Sequence, residues 1–287
     1  MKTENLRNLM NSGKMVKVMG AHNGLSAKLA ENAGFDAIWA SGFEIAATHV
    51  VPDANILTMT ENLNVAHSIN KSVSVPVICD CDSGYGDINN IAHMIKEYES
   101  MGISGVCIED KPFPKLNSFL GEGQKLEDIE VFSEKIRVAQ ETKKNKNMVV
   151  IARIEAFIAG QGLSEVLKRA YAYKEAGADA LLIHSKKEDV SEIYEFCNSF
   201  NENLPIVVVP TTYPNINLEI LKAHGVRLVI YANHGIRSSV NAMKETFENI
   251  IKNGNTTNVE GTISSMEEIF RLQGTGKLRK PSYNLQK

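Results

Sequence analysis

The sequence has few of the features that mark a secreted, membrane-spanning or nucleic-acid-binding protein. It contains four cysteines and one tryptophan in 287 residues, and 31 basic against 34 acidic side chains leave a net charge of −3. No apolar run approaches the length that spans a bilayer, and the polar N-terminal segment lacks the apolar core of a signal peptide. Without a basic excess, nothing favours nucleic acid or an acidic membrane surface as a partner. We therefore predict a cytoplasmic protein without nucleic-acid or membrane partners.

The few cysteines also argue against a disulfide framework. Cys79, Cys81 and Cys107 lie in apolar, strand-like segments, and Cys197 lies in a helical pattern. Buried thiols of this kind are typical of proteins from a reducing compartment.

The apolar pattern predicts a (β/α)8 TIM-type barrel. Continuous apolar runs imply parallel strands that are covered on both faces, and eight strand–helix units suit a closed barrel. A doubly wound open sheet is the alternative, but no Gly-x-Gly-x-x-Gly segment follows the first strand. We predict one domain over residues 1–287, in which 263–287 form an extra C-terminal helix and tail. The predicted strands are 15–21, 37–41, 75–82, 105–110, 148–156, 180–185, 205–211 and 227–233.

Polar residues follow strand after strand at the same end. In a barrel these strand ends meet on one face, where active sites of this fold lie. Solvent at strand ends could explain one or two polar residues, but it explains the convergence of several charged side chains less well. The residues concerned are Ser41, Asp80, Asp82, Glu109, Arg153, Glu155, His184, Ser185, Thr211, Thr212, Asn233 and His234.

Three carboxylates in this set predict a metal site. With the two-residue period of a strand, Asp80 and Asp82 point to one face, and Glu109 ends the next strand. Two buried carboxylates need a counter-charge, and oxygen-only ligands favour Mg²⁺ or Mn²⁺ over Zn²⁺. The alternative is a helix-capping aspartate followed by a surface aspartate.

The loop after Glu109 has the composition of a lid over a polar substrate. It holds Lys111 and Lys115, two prolines that stiffen it, and Asn117. With Arg153 and His184 nearby, these groups suit a small phosphoryl or carboxylate dianion. The backbone N–H groups of Ser41 and Gly42 could hold a carboxylate, whereas Trp39 reads as a core residue. The alternative for the loop is an ordinary surface segment after an acidic helix cap.

Extended motifs identify a resemblance along nearly the whole chain. The chain resembles the phosphoenolpyruvate mutase branch of the isocitrate lyase superfamily. The most specific match is Glu109-Asp110-Lys111, then Pro114-Lys115, then Asn117-Ser118; others are Asp80-x-Asp82-x-Gly84-Tyr85-Gly86, 150–156, His184-Ser185-Lys186 and Ala232-Asn233-His234. Phe43 and Ser83 stand where the family often has Leu and Thr.

The resemblance implies an isomerase that interconverts phosphoenolpyruvate and phosphonopyruvate in phosphonate biosynthesis. Asp80, Asp82 and Glu109 would then hold Mg²⁺, partly through water. Arg153, His184 and Asn117 would hold the phosphoryl group, with Lys115 on the closing lid. The substrate-binding set would be Trp39, Ser41, Gly42, Phe43 and Ser118, and Asp53 would be the essential aspartate, as nucleophile or as positioning residue.

Three alternatives follow from the same comparison. A phosphonopyruvate hydrolase would share most of the site, but that branch typically has Thr at the position of Asn117. The carbon–carbon lyases carry a cysteine in a Lys-Lys-Cys-Gly-His motif on this loop, and the segment 111–115 has none. A metal-stabilised scaffold without catalysis is the alternative from another class.

The resemblance also implies a homo-oligomer. Members of the family commonly form dimers or tetramers that exchange C-terminal helices between subunits. The amphipathic segment 263–272 is the predicted exchanged element.

Overall fold

The computed structural model describes residues 1–121 and 123–278 and shows a closed barrel of eight parallel strands. Each strand pairs with the next along the chain, and the first also pairs with the eighth, Val16 opposite Leu228. Helices surround this barrel, so the predicted TIM-type architecture is confirmed. The strands are β1 (Val16–Ala21), β2 (Ala37–Ala40), β3 (Val77–Asp80), β4 (Gly105–Glu109), β5 (Val149–Ile154), β6 (Ala180–Ile183), β7 (Ile206–Val208) and β8 (Val226–Tyr231).

Eleven helices are found in the described residues, followed by a short 3₁₀ turn at Thr275–Lys277. They are α1 (Lys2–Asn11), α2 (Gly24–Asn32), α3 (Gly42–Thr48), α4 (Met59–Ser72), α5 (Ile88–Ser100), α6 (Ile129–Thr142), α7 (Leu163–Glu175), α8 (Ser191–Ser199), α9 (Leu218–Ala223), α10 (His234–Asn253) and α11 (Met266–Gln273). Several begin at side-chain caps that the sequence supplies, such as Thr58 before α4 and Asp87 before α5. The caps satisfy backbone N–H groups that the first helical turn leaves unpaired.

The apolar strand residues divide into two buried layers. Alternate residues point inward and outward along a strand, so each strand contributes to both. The inner layer includes Trp39, Ile78 and Ile151, and the outer layer packs strands such as β2 against surrounding helices through Ile38 and Ile69. This double burial explains why the strands read as continuous apolar runs.

Helix α1 closes the N-terminal end of the barrel. Leu6 and Met10 join the inner layer, and Arg7 donates hydrogen bonds to Met148 O and to Asp179 Oδ1. The opposite, C-terminal end stays available for a ligand. The predicted convergence of polar residues at one end of the barrel is found at this C-terminal end.

Two short helices, α3 and α9, were missing from the prediction. Each spans only six or seven residues, too few for a helical period to repeat. Helix α3 begins directly after β2, where the Ser41 hydroxyl accepts a hydrogen bond from Glu44 N. All strands except β1 also end earlier than predicted, because polar residues such as Asp82 already belong to the following turns.

The chain divides into two compact units, Met1–Ile236 and a second unit that begins at Arg237. The second unit contains most of α10 and all of α11, and it exposes Phe247, Met266 and Phe270. Over 1–121 and 123–278, none of the helices combines the length and apolar character needed to cross a membrane. The end of the predicted tail, 279–287, lies outside the described residues.

Candidate active site

A cavity of about 230 Å³ opens at the C-terminal end of the barrel. It is smaller than the roughly 300–1,000 Å³ typical of pockets for drug-sized ligands, so it suits a compact substrate. Most of the predicted site residues line it. The lining consists of Trp39, Ser41, Phe43, Asp53, Asp80, Lys115, Asn117, Ser118, Phe119, Arg153, His184, Val209, Thr211, Thr212, Ala232 and Asn233.

Asp80 at the end of β3 and Asp82 just after it converge, but not by the predicted strand period. The strand ends at Asp80, and Asp82 has a φ of 49°, in the left-handed region. The turn is closed by Gly84 N donating to Cys81 O over 2.9 Å. Gly42 packs against both aspartates, since a Cβ there would lie 3.3 Å from Asp80 Oδ2 and 3.4 Å from Asp82 Oδ1. The prediction that both aspartates face one side of a strand is therefore wrong. Asp82 lies in the turn after the strand, and this turn places its carboxylate near that of Asp80.

Lys115 places its ammonium group among the site carboxylates. Its Nζ lies 2.7 Å from Asp82 Oδ1, 3.0 Å from Asp53 Oδ1 and 3.9 Å from Glu109 Oε1. The lysine reaches this position because Lys115 N donates to Asn55 Oδ1 over 2.7 Å, while Asn55 Nδ2 donates to Asp82 Oδ2 over 2.8 Å. Asn55 therefore ties the lid backbone to the acidic turn.

The acidic end of the cavity has strongly perturbed ionisation. Burial raises the pKa of Asp82 to about 7, with Asp80 and Asp53 adding to the rise and Lys115 opposing it. Burial lowers the pKa of Lys115, but Asp82, Glu109 and Asp53 outweigh it and hold the pKa well above the ordinary value. Lys115 is therefore a permanent cation at neutral pH, and it supplies the counter-charge that these buried carboxylates need.

Glu109 retains unused capacity to bind a cation. Both of its carboxylate oxygens are buried without a hydrogen-bond partner, and Arg153 Nε lies 3.3 Å from Oε2. A buried carboxylate in this state fits an additional positive ligand. In residues 1–121 and 123–278, however, no three Asp, Glu, His or Cys side chains already form a metal-binding group. Lys115 Nζ lies instead between Asp82 and Asp53.

The opposite side of the cavity presents Arg153 and His184. Glu155 Oε1 accepts from Arg153 Nε over 2.5 Å and lies 2.7 Å from His184 Nδ1. Burial raises the pKa of Glu155, but Arg153 and His184 outweigh burial and hold the pKa well below the ordinary value. Glu155 is therefore ionised and can accept a hydrogen from His184 Nδ1, while Arg153 Nη2 also lies 2.9 Å from this nitrogen. Both contacts are made through Nδ1. Burial, together with Arg153 and Lys111, lowers the pKa of His184, although Glu155 opposes this.

The loop after β4 covers the cavity. Asn117 Nδ2 donates to Asp53 Oδ2 over 2.7 Å, and the Phe119 ring packs edge-on against His184 with centroids 5.7 Å apart. The outer surface of the loop exposes Phe113 and Leu116. We call residues 111–121 the lid segment.

Three of the residues that the resemblance assigns to the site lie beside the cavity without lining it. Gly42, Asp82 and Glu109 lie next to lining groups, with Asp82 against Lys115 and Glu109 against Arg153. Of the other polar strand-end residues, Glu155, Ser185 and His234 also lie outside the lining. Ser118 lines the cavity as predicted, but its hydroxyl donates to Glu155 Oε2 over 2.5 Å.

The sequence reasoning missed several residues that shape this site. Asn55 organises its acidic side, and Val209, Phe119 and Ala232 add apolar wall. Glu155 was among the predicted polar residues at the strand ends, but its role in holding Arg153 and His184 was not predicted. No local signal marks Asn55, whose partners lie 27 and 60 positions away.

Comparisons with known proteins find close relatives of this chain. The family model described as phosphoenolpyruvate phosphomutase matches residues 6–251. The chain is 44% identical over 280 residues to the phosphonopyruvate hydrolase of Variovorax sp. (strain Pal2), with 97% of each chain covered.

Two solved structures are closely similar. The phosphoenolpyruvate phosphomutase from Streptomyces platensis subsp. rosaceus is 47% identical with a TM-score of 0.95, covering 96% of each chain. A phosphonopyruvate hydrolase in complex with oxalate and Mg²⁺ is 43% identical with a TM-score of 0.91, also covering 96% of each chain. Mutases and hydrolases are thus similar to this chain to nearly the same degree. The chain belongs to the phosphoenolpyruvate phosphomutase family, within the phosphoenolpyruvate mutase and isocitrate lyase superfamily.

Proposed function

We propose that the protein is a phosphoenolpyruvate mutase, an isomerase that interconverts phosphoenolpyruvate and phosphonopyruvate and forms the carbon–phosphorus bond of phosphonate biosynthesis. The observation that carries this proposal is the Asn117–Asp53 hydrogen bond, which fastens the lid segment over a small cavity. A mutase must keep water away from a phosphoryl group during transfer, and a lid held in this way limits the access of water.

Arg153 and His184 are the groups that would bind the phosphoryl group. Both line the cavity, and Glu155 holds each in place through Oε1. Transfer of a phosphoryl group passes through a loose, metaphosphate-like transition state whose charge lies on the equatorial oxygens. A fixed guanidinium and a ring nitrogen stabilise that charge without reorganisation.

The pyruvyl unit would lie at the other end of the cavity. Trp39 and Phe43 supply apolar walls beside Ser41, and Asp80 lies close by. The resemblance assigns the pyruvyl unit to Ser41 and Gly42. The expectation that the Ser41 N–H holds the carboxylate is wrong, because Ser41 N donates to Ala21 O over 3.1 Å. Ser118 would contribute less to the substrate than the resemblance implies, because its one hydroxyl proton already goes to Glu155.

Asp53 has the contacts of a positioning residue. Its Oδ1 lies 3.0 Å from Lys115 Nζ, and its Oδ2 accepts from Asn117 over 2.7 Å. Burial raises the pKa of Asp53, but Lys115 and Asn117 outweigh burial and hold the pKa below the ordinary value. An anion with both oxygens engaged is a poor nucleophile, so these contacts favour positioning over attack on phosphorus.

The carboxylates fit Mg²⁺ as the resident metal, with Mn²⁺ as the alternative. Asp80, Asp82 and Glu109 offer only oxygen ligands, which a hard cation prefers. Both Glu109 oxygens also lack hydrogen-bond partners, so they are free to bind the ion. The similar hydrolase structure contains Mg²⁺. Bound there, the ion would neutralise charge on the enolate oxygen of the substrate.

Phosphonopyruvate hydrolysis is the second candidate, because a relative with that activity is 44% identical over nearly the whole chain. The two reactions differ in whether water reaches the phosphoryl group. Lyase chemistry has less support, since Cys79, Cys81 and Cys107 are buried and none lines the cavity.

Phosphorus NMR of the purified protein with phosphonopyruvate and Mg²⁺ tests the proposal. A growing phosphoenolpyruvate signal with little inorganic phosphate would support the mutase. Inorganic phosphate with pyruvate would establish the hydrolase instead. No turnover, together with a melting temperature raised by Mg²⁺, would favour the scaffold alternative.

A further inference from the structure

Glu155 has four partners, and they are divided between its two oxygens. Oε1 accepts from Arg153 Nε over 2.5 Å and lies 2.7 Å from His184 Nδ1. Oε2 accepts from Ser118 Oγ over 2.5 Å and lies 3.2 Å from Lys111 Nζ. The first pair faces the cavity from the barrel, whereas the second pair belongs to the lid segment. One buried carboxylate therefore joins the barrel side of the site to its cover.

Lys111 has no contact that would serve a substrate directly. It does not line the cavity, and its side chain is only 2% exposed. Its Nζ donates to Leu116 O over 2.9 Å and to Ser118 Oγ over 2.8 Å. Among the described residues, Glu155 is the one carboxylate within ion-pair distance. Because a buried ammonium without a counter-ion is costly, Lys111 is stable here only while the lid segment lies on Glu155.

Asp110 holds the backbone of Glu155 and, through Arg169, the backbone of Glu127 beyond the lid segment. Asp110 Oδ1 accepts from Glu155 N over 2.8 Å, while Asp110 Oδ2 accepts from Arg169 Nη1 over 3.0 Å and from the Tyr173 hydroxyl over 2.8 Å. Arg169 Nη1 also donates to Glu127 O over 3.0 Å. The backbone of Glu155 is thus held rigidly, so changes at its carboxylate come from its partners.

We propose that Glu155 is a positioning residue that couples closure of the lid segment to the readiness of Arg153 and His184 for the phosphoryl group. With the lid segment closed, Lys111 and Ser118 take up charge on Oε2. When the lid segment is open, Oε2 loses both partners, and the whole carboxylate charge acts on Arg153 and His184. Glu155 then holds these two side chains more strongly, so they bind a ligand anion less tightly. This inference rests on the proposed function only in assigning the phosphoryl group to that side of the cavity.

The first measurement is hydrogen–deuterium exchange of backbone amides in the lid segment of the intact protein. The variant Lys111→Met removes one partner of Oε2, together with the hydrogen bonds that Lys111 donates to Leu116 O and Ser118 Oγ, at a residue that does not itself line the cavity. Hydrogen bonds and ion pairs to charged groups contribute enough that we expect exchange to be about tenfold faster. Lys125→Met is the matched control, because Lys125 is an exposed lysine of the same loop without an ion pair in the described residues. In Lys125→Met, the backbone amides of the lid segment should exchange at the same rate as in the unmodified protein.

The second measurement is the titration of His184 by nitrogen-15 NMR, assigned with His184→Asn. The charged groups facing His184 are Glu155, Arg153 and Lys111, and the Phe119 ring covers it from the lid segment. The variant Ser118→Ala changes no charge, and it removes the hydrogen bond to Glu155 Oε2 together with the one that Arg153 Nη2 donates to Ser118 Oγ over 3.2 Å. If Glu155 couples the two sides, His184 should nevertheless titrate at a higher pH in this variant, because more of the Glu155 charge acts on it.

Faster exchange in Lys111→Met together with the shifted His184 titration in Ser118→Ala would support the coupling. Unchanged exchange, or faster exchange with an unshifted His184 titration, would overturn it. Thermal melts check that each variant is folded, and if Lys111→Met is not, Ser118→Ala decides through both readouts. Neither measurement requires turnover, so a failure of the proposed mutase activity would appear separately in the phosphorus NMR experiment.

Discussion

Asn117 and Asp53 are 64 positions apart in the sequence, yet the amide of Asn117 donates to Asp53 Oδ2 over 2.7 Å. The bond joins the lid segment to the loop after α3 at the mouth of the cavity. Lys115 contacts the other oxygen of the same aspartate. Closure of the cavity therefore depends on how well this one aspartate is paired.

Replacing Asn117 should change the product. The shorter side chain of Asn117→Thr cannot reach Asp53 as the amide does, so water should enter the cavity. We expect the mutase rate to fall by at least tenfold, since a lost charge-assisted hydrogen bond of about 1.5–3 kcal/mol corresponds to that factor. The fraction of inorganic phosphate should rise. Phosphorus NMR with phosphonopyruvate measures both.

The control for this substitution is Asn203→Thr, which makes the same change at an exposed position. It should leave the product ratio as it is in the unmodified protein. If Asn117→Thr slows turnover without raising the phosphate fraction, Asn117 does not determine the product. Water exclusion would then have to be assigned to other residues of the lid segment.

Mg²⁺ should stabilise the folded protein if the carboxylates hold it. A ligand that binds only the folded state stabilises it by about 2.7 kcal/mol at one hundred times its dissociation constant. We therefore expect a clear rise in melting temperature when Mg²⁺ replaces a chelator. In Glu109→Gln the rise should be largely lost, because the substitution removes a buried carboxylate whose oxygens have no other hydrogen bonds.

The matched control is Glu130→Gln, whose side chain is 82% exposed. It should retain the full Mg²⁺-dependent rise. The melting temperature of each variant with Mg²⁺ is compared with that of the same variant in chelator. A lower stability of the metal-free variant therefore does not affect the comparison. An equal rise in Glu109→Gln would exclude Glu109 as a ligand.

The sequence predicted the barrel and the residues of its C-terminal end because both depend on local patterns. Continuous apolar runs that reach polar residues such as Asp80 and Arg153 predict the strand ends to within three residues. Because strand ends of a barrel meet, their proximity followed from topology alone.

The remaining features depend on contacts between distant segments. Asp82 reaches the site through a left-handed turn, and Asn55 connects two loops through its side-chain amide. The pairing of Lys115 with Asp53 and Asp82 rather than with solvent likewise requires the folded lid segment. Neither periodicity nor spacing encodes such contacts. The metal ligands and the activity stay predictions.

The stability of the barrel should depend on pH through Asp179. Its carboxylate accepts hydrogen bonds from Arg7, Lys143, Gln140 and Val150 N, and so joins α1, α6 and β5. Burial raises the pKa of Asp179, but Lys143 and the Val150 N–H outweigh burial and hold the pKa below the ordinary value. A carboxyl with a lowered pKa stabilises the fold above its unfolded pKa, and this stabilisation is lost as the pH falls through the native pKa.

Asp179→Asn should therefore lower the free energy of unfolding at pH 7 by about 2 kcal/mol, a typical value for hydrogen bonds to a charged group. Urea unfolding at several pH values measures the difference, which should shrink below about pH 4 as the carboxylate of the unmodified protein becomes protonated. Glu175→Gln, at an exposed carboxylate, serves as the control. A difference that stayed constant down to pH 3 would show that Asp179 acts by packing rather than by charge.

The final prediction concerns assembly through α11. Met266 and Phe270 on this helix are 64% and 46% exposed, and the nearby Ile263 is 45% exposed. Apolar side chains grouped in this way are typical of contact surfaces between protein chains. We propose that α11 packs against a second copy of the chain in a dimer or tetramer, as the family resemblance implies.

Truncation after Gly261 should therefore reduce the oligomer to a smaller species in size-exclusion chromatography with light scattering. A variant truncated after Leu278 is the matched control, because it keeps α11 and should keep the native assembly. Loss of α11 removes apolar contact area, so the smaller species should also bind more of a dye that detects exposed apolar surface. A tetramer that survives truncation after Gly261 would reject the exchange of α11, and the contact between subunits would then have to lie elsewhere on the chain.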